Sequence, residues 1–278
     1  MSEDEVFVLV ISVVFGVIGV ARNSTSAFPS LSFRGNPALG IVRVSVIAAM
    51  LWIAYVLWNY ADPSVTGVYV FFYLVMGYGA VKMYGQTMAA AFGASTQHDA
   101  GERRNVAAAL VIAALTISTG MIFGGSLWGE ADPLSDYEGG WWIPVAFFHL
   151  GWGCLMGAFA LYLRRDKGKF SHQIRRERSI PAARAAGAFL ISCAVPLTEA
   201  VSGDFWGWRH GLASVGIIGA LLIAHELFAS WSGDGADQVE VDVTKFDTRR
   251  IAETVAYLAI GGAAWGLHRL ADRWWGPG

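Results

Sequence analysis

Eight long apolar runs, separated by short polar stretches, make up most of this chain. They cover Val6–Ala21, Ala38–Tyr60, Gly67–Phe92, Val106–Trp128, Trp141–Leu163, Ala182–Val201, Trp208–Trp231 and Ile251–Ala271. Most approach the ~20 residues that a helix needs to cross a hydrocarbon core of ~30 Å. The runs are continuous and do not alternate, so they predict helices and not the strands of a barrel. The expected fold is therefore all-α: a polytopic membrane protein with eight transmembrane helices, one transmembrane domain over residues 1–278.

The polar stretches repeat one theme. Arg34-Gly35-Asn36-Pro37-Ala38 opens the second run, Arg103-Arg104-Asn105-Val106-Ala107-Ala108 the fourth, and Glu177-Arg178-Ser179-Ile180-Pro181-Ala182 the sixth. Each sets a basic residue before an Asn or Ser suited to cap a helix, then small residues that begin one. The far turns correspond as Ala61-Asp62-Pro63, Ala131-Asp132-Pro133 and Gly203-Asp204, and the return runs carry Gly77-Tyr78-Gly79 and Gly151-Trp152-Gly153. The reading is three tandem helical hairpins, about 34–92, 103–163 and 177–231, with a flanking helix at each end. All three start on the same side, unlike the inverted repeats of many transporters.

These motifs resemble a bacterial family of unknown function, numbered 350, built from two-helix membrane repeats. The residues that carry the resemblance are Arg104 to Ala108 with Gly129-Glu130, and Arg178 with Val201 to Asp204. It spans about 103–231, with 34–92 as a degenerate copy. The resemblance implies a bacterial inner-membrane protein and supplies no catalytic residues.

Composition agrees with the pattern. Of 278 residues 55% are hydrophobic and only 15% charged, against about 25% charged in soluble domains. The leading Glu3, Asp4 and Glu5 are acidic where a cleavable signal would be basic. Net charge is −2, so nothing suggests nucleic acid as a partner. Cys154 and Cys193 both fall in apolar runs and are expected to be buried small hydrophobes.

Charge placement sets the orientation. The stretch Arg164 to Arg178 carries seven cations, Arg164, Arg165, Lys167, Lys169, Arg175, Arg176 and Arg178. Cationic loops stay on the cytoplasmic side. With this loop inside, the alternate loops hold Arg22, Arg34, Arg103, Arg104, Lys245, Arg249 and Arg250, which brings fourteen of the twenty Lys/Arg to that face. The opposite loops hold Asp62, Glu130, Asp132, Asp136, Glu138 and Asp204 with a single cation, Arg209. Trp58, Trp128, Trp141, Trp142, Trp206, Trp208, Trp274 and Trp275 map to that outer interface. Both termini are thus expected outside, in the inner (plasma) membrane.

Ionisable residues inside spans are functional candidates, because hydrocarbon makes charge costly. An inner layer contains Arg43, Lys82, Gln86, Arg184, His225, Glu226 and Glu253. It reads either as side chains snorkelling to the interface or as a vestibule open to the cytoplasm, with Lys82–Glu226 a conceivable pair. An outer polar layer contains Asn59, His149, Glu199, Arg209 and His210, with Pro196 expected to kink the span beneath Glu199. No charged residue maps to the centre, which argues against a proton relay. The glycine pairs Gly120–Gly124, Gly153–Gly157 and Gly262–Gly266 suit close helix packing, within one bundle or in a homo-oligomer. Val239-Glu240-Val241-Asp242-Val243 alternates like a short strand or a linker.

No nucleophile elbow, phosphate loop or metal-ligand spacing occurs, so neither enzymatic activity nor a cofactor is expected. Three function classes stand. The first is a membrane scaffold or accessory component whose basic loop meets lipids or a protein partner at the cytoplasmic face. The second is a channel or transporter using the inner vestibule. The third is a haem-bearing electron carrier through His149.

Overall fold

A computed structural model describes residues 3–23, 35–129, 141–165, 169–203, 208–231 and 243–275. Among them the chain forms α1 (Glu3–Asn23), α2 (Pro37–Asn59), α3 (Val68–Ala80), α4 (Val106–Ser126), α5 (Trp142–Arg165), α6 (Lys169–Arg175), α7 (Ile180–Ala200), α8 (Trp208–Trp231) and α9 (Val243–Trp275). Six of these, α1, α2, α4, α5, α7 and α8, are long and apolar enough to cross a membrane. Residues 232–242, where the alternating Val239–Asp242 pattern falls, lie outside the described residues.

Helices α2, α4, α7 and α9 pack side by side in that order. Against this row lie α3 on α2 and α4, α5 on α4 and α7, and α8 on α7 and α9, with α1 packed on α3. The centre is α4 and α7, with 78% and 72% of their apolar windows buried against 17% for α1 and α8. Small residues allow the row to close. A side chain at Gly120 would strike Ala49 of α2, one at Gly125 the carbonyl of Thr198 on α7, and one at Gly261 the side chain of Ser192. The pair Gly120–Gly124 faces α2, but Gly153, Gly157, Gly262 and Gly266 meet nothing within 4 Å and so present open faces. Cys193 is buried as expected, whereas Cys154 is exposed on α5.

The third apolar run is not one continuous α-helix. After Ala80 it loosens into wide, π-type turns over Val81–Thr87 and then tightens over Met88–Phe92. Close approach of neighbouring backbones accounts for this. Gly79 sits against the Ser12 carbonyl of α1 and Gly85 against Thr116 of α4. Thr87 Oγ1 donates to the Lys82 carbonyl at 3.1 Å and receives a bond from Asn23 Nδ2 at 2.9 Å. The side chain thus supplies a donor to a carbonyl inside the loosened ladder. Gly93, at φ +86°, ends the segment with its Cα against Ser171. A side chain there meets both a left-handed backbone and a filled space.

The helix starts behave as their residue types require. Asn36 accepts from the Ala38 and Leu39 amides, Asn105 from Ala108, and Ser179 from Ala182, each capping its helix. The two Asn side chains then do a second job with their amide nitrogens. Asn36 Nδ2 donates to the carbonyls of Ala100 and Gly101, both at 2.9 Å, just upstream of Asn105. Asn105 Nδ2 donates to the Ile174 carbonyl at 2.7 Å, just upstream of Ser179. Matching bonds recur at the far end, where Gly129 N donates to Tyr60 O at 3.0 Å and Gly203 N to Trp128 O at 2.7 Å. The Tyr60 and Trp128 rings stack there, 3.9 Å apart. Asn105→Ala removes a cap, worth about 1 kcal/mol, and orphans a buried carbonyl, worth a further ~1–3 kcal/mol. Thermal unfolding of the detergent-solubilised variant will show a lowered midpoint, and Asn105→Ser will recover the capping part only.

The basic stretch, expected as a loop, contains α6, whose Phe170 and Ile174 are buried. Their i, i+4 spacing puts both on one face, and burying that face orders the segment.

Candidate functional site

The polar residues of the inner layer fall into separate groups. The most enclosed lies between α8 and α9. Glu253, with no exposed surface, accepts from Arg250 Nη1 at 2.9 Å and from the Tyr257 hydroxyl at 2.8 Å. His225 Nδ1 lies 2.9 Å from the same hydroxyl and 3.2 Å from Glu253 Oε1. With the hydroxyl proton directed at Glu253, Nδ1 is the donor. The Tyr162 ring stacks on the imidazole at 4.1 Å, and Arg250 Nη2 reaches Gln173 of α6 at 3.5 Å. The carboxylate is thus surrounded by three donors and closed off by an aromatic lid. This is an enclosed lock between helices, because both oxygens of the carboxylate are taken up by its neighbours, while the far ring nitrogen of His225, Nε2, is buried with no hydrogen-bond partner among the described residues. Glu226, one residue on from His225, is exposed on α8, and Arg184 is exposed on α7.

Lys82 meets Gln86, four residues on along the same segment, where the sequence offered Glu226 as its conceivable partner. The Lys82 ammonium donates to Gln86 Oε1 at 3.0 Å and lies 5.8 Å from the Tyr78 ring centroid. Gln86 is only 2% exposed, and a side chain at Gly19 of α1 would strike Lys82 Cβ. Arg43 is half-buried on α2, which packs on the wide-turn segment.

At the basic end, Asp99 is the residue that sequence reasoning missed. It sits in wide turns over Thr96–Glu102 and is wholly buried. It accepts from the Ser95 amide at 2.9 Å and from Arg175 Nε at 3.2 Å, with Arg103 Nη1 at 3.7 Å. Arg175 therefore holds the two interhelical segments together. Arg103, Arg104, Arg164, Lys169, Arg176 and Arg178, which lie on or flank these segments in sequence, are exposed. Arg104 and Arg178 both sit at φ +52°, in the left-handed region that favours Gly or Asn. The side chains of Arg165 and Lys167 lie outside the described residues.

The opposite end holds a cavity of about 490 Å³. Trp52, Tyr55, Tyr60, Trp128 and Trp265 line it with Glu199. It is a feature of four helices, since its walls come from α2, α4, α7 and α9. Pro196 O, near its floor, accepts from Ser214 Oγ of α8 at 2.9 Å. His149 of α5 is turned elsewhere. Its Nε2 lies 2.8 Å from the Tyr84 hydroxyl and its Nδ1 2.7 Å from the Val145 carbonyl, so Nδ1 donates and Nε2 accepts. Asn59 donates to the Tyr55 carbonyl at 2.9 Å. The side chains of Arg209 and His210 lie outside the described residues.

Comparison with protein-family models, curated proteins and solved structures finds no match to this chain.

Proposed function

We propose that this is a multi-pass scaffold or accessory protein of the inner membrane, whose basic end faces the cytoplasm and holds anionic lipid headgroups or an acidic protein partner. On this reading the third run and α9 are also spans, giving eight, with both termini outside and three tandem hairpins. The paired bonds of Asn36 and Asn105, and of Gly129 and Gly203, support the hairpin repeat, and they fit the resemblance to the two-helix-repeat family.

The observation that carries the functional reading is the exposed set Arg103, Arg104, Arg176 and Arg178, flanking in sequence the two segments joined through the buried Asp99. Two of the four occupy a left-handed backbone where an L side chain carries of order 1–3 kcal/mol of strain. Arginine there gives up local stability, and a contact made by its guanidinium offsets that loss. Cations at the surface of an anionic leaflet contribute about 1 kcal/mol each. Replacing all four with Gln will strip most co-purifying phosphatidylglycerol from the protein in native mass spectrometry, with the fold intact by circular dichroism. Unchanged lipid retention and unchanged partner capture would sink the proposal.

A second reading, a solute channel or transporter, is favoured by the wide turns at Val81–Thr87 that carry Lys82. Departures from α-geometry of this kind recur at functional sites. Proteoliposome flux that disappears in Lys82→Met would select it. The haem reading has less support, since both ring nitrogens of His149 are already engaged.

A further inference from the structure

The first three apolar runs carry charge of one sign at their basic ends. Between Glu5 and Asp62, and again between Asp62 and Asp99, the sequence contains no carboxylate. The same stretches contain Arg22, Arg34, Arg43 and Lys82. Arg43 lies six residues into α2, or about 9 Å along it at ~1.5 Å per residue. It makes no hydrogen bond or ion pair among the described residues. Among the described residues the ammonium of Lys82 has one bond, to the neutral Gln86 amide, which leaves further N–H donors uncommitted there. Helix α2 touches the wide-turn segment, and Arg43 is near enough for its charge to act on Lys82. The next acid along the chain, Asp99, is taken up by Ser95, Arg175 and Arg103. The connection over residues 24–34 has none to offer.

From these observations we infer that the protein binds an oxyanion between Arg43 and Lys82, at the inner part of its first three helices. Two half-buried cations without a counter-charge among the described residues repel each other in a medium that screens poorly. A phosphate relieves both, since guanidinium presents a planar fork to two oxygens and ammonium a point charge to a third. Snorkelling is the competing account, and for Lys82 the structure opposes it. Gln86 is buried and holds the ammonium, while α1 packs on Lys82 Cβ, so the chain is anchored within the bundle. The oxyanion is either the phosphate of a membrane lipid or a small phosphate-bearing solute.

Full-length protein in phosphatidylcholine nanodiscs separates the sources. For a solute, inorganic phosphate will raise the unfolding temperature of the wild type and bind with an affinity that Arg43→Gln and Lys82→Gln each weaken about tenfold or more. For a lipid, phosphate will do nothing, and one phosphatidylglycerol per chain will survive native mass spectrometry in the wild type and be lost in both variants. Arg43→Lys and Lys82→Arg keep the charge and will bind more tightly than the matching Gln variants, though Arg43→Lys gives up the two-pronged contact, which separates recognition from a folding defect. The Arg103, Arg104, Arg176 and Arg178 quadruple variant will keep this one anion, so the site stands or falls apart from the basic face. If neither probe distinguishes wild type from Arg43→Gln and Lys82→Gln, the inference is wrong.

Discussion

Glu253→Ala will cost the protein more stability than any other single loss of a polar side chain. The substitution leaves Arg250, 3% exposed, and His225, 2% exposed, without the carboxylate on which both converge. Breaking one partner out of a buried ion pair costs about 3–5 kcal/mol, because the remaining charge stays desolvated. That is a large share of the ~5–15 kcal/mol by which folded proteins typically exceed their unfolded states. Glu253→Gln keeps the shape and an acceptor for Tyr257 but loses the charge facing Arg250, so it will fall between wild type and Glu253→Ala. The exposed Glu226 is the control, and Glu226→Ala will leave the midpoint within a degree or so of wild type. Thermal unfolding of the detergent-solubilised proteins reads all three. Equal midpoints for Glu253→Ala and Glu226→Ala would show that the lock is not holding α8 to α9.

The second large effect is steric. Gly125→Leu will separate α4 from α7, the two most buried helices, because even a Cβ at that position collides with the Thr198 carbonyl. Backbone cannot step aside as a flexible side chain can, and overpacking costs about 1–3 kcal/mol or more. The cavity at the same end will be disturbed too, since Thr198 and Glu199 of α7 and Ser202 just beyond it line its wall. Gly153→Leu, on the open face of α5, adds the same bulk where nothing stands within 4 Å and will leave stability unchanged. Comparison of the two by size-exclusion profile and unfolding midpoint tests whether small residues close the central row.

What the sequence disclosed was the part of the structure written in short-range pattern. Apolar runs and the caps Asn36, Asn105 and Ser179 each depend on residues within a few positions of one another. The helical content and the membrane-crossing length of most runs follow from the same pattern. Features that require two distant segments to meet stayed hidden. His225 and Glu253 stood at similar depth in the inner layer, yet nothing in either helix announced that the two would be neighbours. Tyr257 read as one more apolar position, and Arg250 as a loop cation that only marked orientation. Arg175 counted among seven equivalent charges until the buried Asp99 claimed it. The aromatic cavity has its walls on four helices, so no window of sequence contains it. The break at Val81–Thr87 escaped for a related reason, since α1 and α4 impose it through Gly79 and Gly85.

The central claim is that the end bearing Arg103, Arg104, Arg176 and Arg178 faces the cytoplasm, and cysteine labelling in intact cells tests it most directly. Cys193 is buried and stays, while the exposed Cys154 is first replaced by Ala. Single cysteines are then placed at Ser64, exposed between α2 and α3, and at Gln97, exposed beside Asp99. A membrane-impermeant maleimide should label Ser64→Cys in intact spheroplasts and Gln97→Cys only after lysis. Labelling of Gln97→Cys from outside with Ser64→Cys protected would reverse the orientation and contradict the account.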